Sequence, residues 1–157
     1  MGKQAVDADL VIKDLWMGGA PRPGIKGPWK HLVLTAWEIQ PPDSAFPGMR
    51  VHRCHIDDSG PPVREDESAS AVKCAAHVAH WVRKGEPVLV TCAMGRNRSG
   101  LVTALAIMFL TRASPADAVW LVRRARGPHA LSNKSFVKLI NRVGKSMGSS
   151  HAATMIA

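Results

Sequence analysis

A strand, a glycine turn and an apolar helix meet at one cysteine in this chain, and that junction restricts the folds open to it. The run Val88-Leu89-Val90-Thr91-Cys92-Ala93-Met94-Gly95-Arg96-Asn97-Arg98-Ser99-Gly100 starts as an apolar, β-prone stretch. Residues 101–110 are almost wholly apolar and helix-compatible, so the connection leaving Cys92 opens a buried helix. Unpaired backbone N–H groups and the positive end of the helix dipole converge on such a turn. A glycine at position 95 can adopt backbone angles that aim successive amides inward. The turn suits an anion, and the same field favours a thiolate over a thiol. Arg98 stands six positions after Cys92, close enough to share that anion.

A cysteine followed six positions later by an arginine is a weak signal alone, because the chain holds three cysteines and 21 Lys and Arg residues. Context separates this match from chance. Six positions after Cys54 stands Gly60, and six after Cys74 stands His80; only Cys92 has strand, glycine turn and apolar helix in register. The plain alternative is a buried, inert cysteine, the usual fate of a free thiol.

Around this junction the pattern alternates strands and helices. Residues 11–12, 15–17, 31–36, 50–56 and 88–91 read as strands, with Gly18-Gly19, the Pro-rich 21–28, Pro41-Pro42-Asp43 and Pro47-Gly48 as turns. Residues 64–84 read as a helix, with Ala71, Cys74, Val78 and Trp81 on one buried face and Gly85 and Pro87 stopping it. Ser114-Pro115 caps a helix over 116–126, and Ser132 opens a last helix to Val143. The expected fold is α/β: a single domain with a central, mostly parallel twisted sheet covered on both faces and flanked by helices. A catalytic domain over residues 1–144 and a flexible tail over 145–157, rich in small residues, complete the expected organisation.

At 157 residues the chain suffices for one core. Lys3, Asp7, Asp9, Lys13 and Asp14 interrupt the N-terminal apolar residues, so no signal peptide is read, and residues 101–110 are too few to span a bilayer. A soluble, cytoplasmic protein with three unpaired cysteines is expected. The net charge of +9 is uneven: from Arg112 onward eight Lys or Arg face the single acid Asp117. That third is read as a solvated basic face or as an attraction for a polyanionic partner. Five tryptophans, Trp16, Trp29, Trp37, Trp81 and Trp120, lie singly among apolar residues and are read as core or rim. His52 with His55, and His77 with His80 near Cys74, approach metal spacing; the helix carrying the latter has a core to fill, so no metal site is assigned.

Cys92-Ala93-Met94-Gly95-Arg96-Asn97-Arg98-Ser99 resembles the signature loop of the cysteine-dependent protein phosphatases, and the chain as a whole resembles their compact dual-specificity branch. Leu15-Trp16-Met17-Gly18-Gly19 resembles that branch's opening strand and turn, and Ile56-Asp57-Asp58-Ser59 its acid loop. Arg126-Gly127-Pro128 through Asn133 and Phe136 resembles the segment before its last helix. These echoes span about residues 10–142 in family order. The low-molecular-weight tyrosine phosphatases carry the same loop at their N-terminus, unlike this chain.

The resemblance implies hydrolysis of phosphate monoesters on phosphotyrosine in proteins, with phosphoserine and phosphothreonine as further substrates and no metal or cofactor. Cys92 would attack phosphorus, and Arg98 would hold phosphate oxygens with its planar fork. Ser99 would hydrogen-bond the sulfur and help it depart. Residues 92–98, namely Cys92, Ala93, Met94, Gly95, Arg96, Asn97 and Arg98, would line the phosphate. The pattern alone leaves Asp57 and Asp58 both at the end of a strand before a Gly-Pro break; the resemblance favours Asp58 as general acid. Thr91 stands where the family usually has histidine. Arg96 occupies a place where phosphoinositide phosphatases often carry lysine, and Gly-x-Asn-Arg-x-Gly resembles RNA 5′-phosphatases, so those substrates are alternatives. A phosphate-binding module without turnover is the third reading.

Overall fold

The computed structural model describes residues 6–58 and 63–156. β1 (Ala8–Ile12) and β2 (Leu15–Gly18) form an antiparallel hairpin, turned at Asp14 with φ 64°, a left-handed conformation that aspartate tolerates. β3 (His31–Ala36), β4 (Arg50–Ile56) and β5 (Val88–Thr91) add parallel strands. The order is β1-β2-β5-β3-β4, with β1 alone antiparallel. The expected mostly parallel α/β sheet is thus present, and β5 lies at its centre, buried at every residue. Thr91 pairs with Gly18 on one side and Leu34 on the other. Three strands therefore end level, at the C-terminal edge where open α/β sheets bind their ligands.

The helices are α1 (Glu65–Arg83), α2 (Arg98–Thr111), α3 (Pro115–Arg126) and α4 (Lys134–Ile156). α1, α2 and α3 pack on one face of the sheet, which presents Leu15, Met17, Val33, Val88 and Val90 to the core, and α4 packs on α2 and α3. The opposite face is covered by the connecting loops, whose Trp29 and Phe46 cluster with Leu32, Leu34 and Leu89. The coverage differs because residues 19–30 and 37–49 carry six of the chain's prolines, which deny a helix its hydrogen bonds; only a short 3-10 helix (Asp43–Ala45) forms there. α2 is buried from Arg98 to Met108 without a break, and truncating Leu105 to alanine in such surroundings costs about 2–5 kcal/mol.

Ser114 caps α3 as expected, accepting from the Asp117 N–H at 3.1 Å, with Pro115 at the first helical position. The start of α4 differs from the sequence reading: Asn133, rather than Ser132, is the cap, its side-chain oxygen accepting from the N–H groups of Ser135 (3.0 Å) and Phe136 (3.3 Å). The helix also passes Val143 and continues through the segment expected as a tail. A Cβ at Gly144 would lie 2.3 Å from Pro115 Cγ, and Met147 packs against the core, so tertiary contact carries the helix past its expected end.

At the other end of the parallel strands, His31 and His52 meet at 3.0 Å and both stack on Trp81. Burial lowers the pKa of each histidine. No group of three metal-ligating side chains occurs among the described residues. Among those residues, too, no helix is long and apolar enough to cross a membrane.

Candidate active site

β5 delivers Cys92 to the sheet's C-terminal edge, and α2 begins at Arg98. Thr91 is consumed by the sheet: its hydroxyl donates to the Val33 carbonyl at 2.8 Å while its own carbonyl accepts from Thr35 Oγ1 at 2.7 Å. Where the resemblance anticipates an imidazole there is therefore a strand-to-strand hydrogen bond. Cys92 is 4% exposed, with Sγ 3.2 Å from Oγ of the fully buried Ser99.

The loop between is held from outside through four consecutive carbonyls. Ala93 O accepts from Ala20 N (3.2 Å), Met94 O from an Arg126 Nη (3.2 Å), Gly95 O from Arg126 Nε (2.9 Å) and Arg96 O from Leu131 N (3.1 Å). A peptide unit is planar and trans, so a carbonyl fixed outward turns the following N–H to the other side. No N–H of residues 93–98 donates to another group among the described residues. Gly95 makes the close packing feasible, with φ 65°; a Cβ there would lie 2.6 Å from Gly18 C and 2.3 Å from an Arg126 nitrogen. Met94 and Arg96 are exposed at the rim, and Trp37 is 59% exposed.

Arg98 has an unexpected partner. Its two terminal nitrogens donate to both carboxylate oxygens of Glu38, at 2.8 and 2.6 Å. This bond raises the pKa of Arg98 and lowers that of Glu38. A guanidinium carries five N–H donors in a planar fork, so one edge can be occupied while the other stays open. The Nε atom on that other edge is buried and has no partner among the described residues. The loop bearing Glu38 is itself braced: Arg53 donates to Gln40 Oε1 (2.9 Å) and the Pro41 carbonyl (2.6 Å), and Gln40 to the Ala36 carbonyl (2.6 Å).

Asp58 reaches the loop from the end of β4. Its carboxylate accepts from Asn133 Nδ2 at 2.6 Å and from Asn97 Nδ2 at 3.3 Å. Asn97 is oriented in turn by the Asn133 N–H, which donates to its side-chain oxygen at 3.0 Å. Asp57 is exposed. Ser59 and Gly60-Pro61-Pro62, read as part of the acid loop and its break, lie outside the described residues. Cys92, Ser99, Arg98, Asn97 and Asp58 are thus assembled around one loop. A narrow cleft beside Cys92, with no room for a water molecule, is lined by Ala20, Pro21, Leu34, Ala36 and Ile39.

Comparison with known proteins follows the same geometry. No family model matches the sequence. The human DUSP28 crystal structure superposes with a TM-score of 0.78 at 24% identity, covering 94% of this chain and 99% of that one. A mouse putative dual specificity phosphatase solved with zinc tungstate gives 0.81 at 23%, over 96% and 95% of the two chains. The chain has the fold of the dual-specificity phosphatases. PTPMT1 in complex with PI(5)P shares this phosphatase fold, with a TM-score of 0.77 at 15% identity over 92% and 99% of the chains.

Four residues of this phosphatase-fold site escaped sequence reasoning: Glu38, Arg126 in its bracing role, Asp7 and Asp9. Each lies far from Cys92 in the chain; Arg126 stands in the segment that resembles the one before the family's last helix, which does not reveal its contact with the loop, and the other three belong to no local pattern. The isolated acid just beyond the apolar β3 was the one available signal for Glu38. The basic C-terminal third is also less free than its composition implies. Arg126 faces the loop, Arg123 donates to the carbonyls of Ala130 (3.0 Å) and Leu131 (3.1 Å), and Arg124 lies 5.4 Å from the Trp120 ring centre.

Proposed function

We propose that the protein is a cysteine-dependent phosphatase that hydrolyses phosphate monoesters, with phosphotyrosine in proteins as its first substrate class and phosphoserine and phosphothreonine as further ones. The observation that carries this reading is the buried Cys92 thiol beside Ser99, facing a loop whose amides are unused and an Arg98 edge that is unfilled. Unpaired buried donors are retained where a ligand supplies the missing acceptor. In the first step Cys92, as thiolate, forms a bond to phosphorus while the phosphorus–oxygen bond to the leaving group breaks. Asp58, entering protonated, gives its proton to that oxygen. In the second step Asp58, now a carboxylate, takes a proton from water as the water oxygen attacks phosphorus. The phosphorus–sulfur bond breaks, and the Ser99 hydroxyl donates to the departing sulfur. Arg98 Nε and the loop amides stabilise the equatorial oxygens throughout. A reducing compartment such as the cytoplasm fits a thiolate nucleophile and three cysteines without a disulfide.

A second substrate reading has its own support. Arg22 and Lys26 line a cavity of about 700 Å³ that shares Ala20 and Pro21 with the cleft, a setting favourable to larger anions such as RNA 5′ phosphates or phosphoinositides. The test is phosphate release from an aryl phosphate, without added metal, by the wild type and by Cys92→Ser; loss of turnover in the variant is expected. A wild type that binds tungstate in reducing buffer yet turns nothing over would replace the enzyme with a phosphate-binding module. A panel of phosphopeptides, 5′-triphosphate RNA and inositol phosphates then ranks the substrate classes.

A further inference from the structure

Arg126 is held too completely to take a ligand itself. Nε donates to Gly95 O at 2.9 Å, one Nη to Met94 O at 3.2 Å, and the other to Asp7 and Asp9 at 2.8 Å each. These bonds engage four of the five N–H donors a guanidinium offers, and the side chain is only 8% exposed. Burial opposes the charge, but the hydrogen bonds Arg126 donates to Asp7 and Asp9, with their negative charges, outweigh it and raise the pKa of Arg126.

We propose that Arg126 is a positioning residue for anion binding at the Cys92 loop: by fixing the Met94 and Gly95 carbonyls it turns the Gly95 and Arg96 amides toward the bound oxyanion, with Asp7 and Asp9 fixing the guanidinium. The proposal rests on the reading of this loop as a phosphate site. Peptide planarity supplies the mechanism, because rotating a plane to release its carbonyl also withdraws its N–H. The division of labour is specific. Arg126 sets two peptide planes, Ala20 N sets the one before them and Leu131 N the one after. It also lies where a Cβ of Gly95 would be, so the glycine and the arginine fit together as a pair. Through Asp7 and Asp9 the first strand of the sheet is tied to the loop, although these acids stand 119 and 117 residues from Arg126 in the chain.

Arg126→Lys keeps a positive charge between Asp7 and Asp9 but lacks the planar fork that reaches two carbonyls. In a Cys92→Ser background, calorimetry with tungstate is expected to show binding at least tenfold weaker for Arg126→Lys than for the parent. The amide resonances of Gly95 and Arg96 should lose their response to tungstate, while those of Met94 and Asn97 keep theirs. A merely structural role would not single out those two amides. Folded Arg126→Lys that binds tungstate within twofold of the parent would overturn the proposal. Loss of fold in both Arg126→Lys and Arg126→Met, read by far-ultraviolet circular dichroism, would assign the residue to stability and overturn it equally. Should the wild type hydrolyse no phosphate ester, the phosphatase reading falls while these affinities still decide the role of Arg126.

Discussion

Arg98 and Arg126 meet the same loop, and the side chain of each is 8% exposed, yet they are finished differently. Glu38 occupies one edge of Arg98 and leaves Nε buried with no partner among the described residues. Arg126 has Nε on Gly95 O, with the rest of its fork shared between Met94 O, Asp7 and Asp9. Burial therefore does not distinguish these two arginines. The state of the second edge does, since an unpaired buried donor is costly unless a ligand completes it.

The largest test of this contrast is Arg98→Lys. Lysine keeps the charge near Glu38 but cannot serve two edges at once, and kcat/KM on an aryl phosphate is expected to fall by about 10²–10³ or more. A loss under tenfold would remove the open edge from the argument. Asp58→Asn comes next: an alkyl phosphate, with its poor leaving group, should slow by about 10²-fold or more, and an aryl phosphate with a good leaving group far less. If Asp57→Asn gave the larger differential, the acid would have to be reassigned.

Glu38→Gln sharpens the comparison from the partner's side. It leaves Arg98 with a neutral acceptor, and a hydrogen bond to a charged group is worth about 1.5–3 kcal/mol, so kcat/KM should drop by roughly 10–100-fold. The smallest effect is expected at Asp7. The Arg126 hydrogen bond holds its carboxyl pKa below the ordinary value, so its contribution to stability is present above the unfolded-state pKa and is lost as pH falls through the folded-state value. Its side chain is 63% exposed, and solvent screening limits the contribution to about 0.5 kcal/mol. Denaturant melts of Asp7→Asn and wild type should therefore differ slightly at neutral pH and converge in acid, below about pH 4. A gap that widened on acidification would contradict the assigned sign.

Legibility followed sequence distance. The strand, turn and helix around Cys92 announce themselves because β-propensity, a glycine and an unbroken apolar run are adjacent in the chain, and the Ser114-Pro115 cap is equally local. The cap of α4 was misplaced by one residue, since Ser132 and Asn133 are both good caps and only the backbone geometry chooses between them. Residues 145–156 lack a strong local pattern, and the contact of Gly144 with Pro115 could not be foreseen. Asp58 was preferred to Asp57 through resemblance; its placement against Asn97 and Asn133 depends on three segments meeting.

The sequence by itself determined the nucleophile candidate, the glycine turn that follows it and the alternation that makes a mostly parallel sheet, because each is written in neighbouring residues. The tertiary structure alone decided that Thr91 belongs to the sheet, that Glu38 holds one edge of Arg98, and that Arg126 with Asp7 and Asp9 braces the loop. Those outcomes depend on which groups are brought together when the strands align, and a guanidinium's role is fixed by the acceptors it meets rather than by its place in the chain.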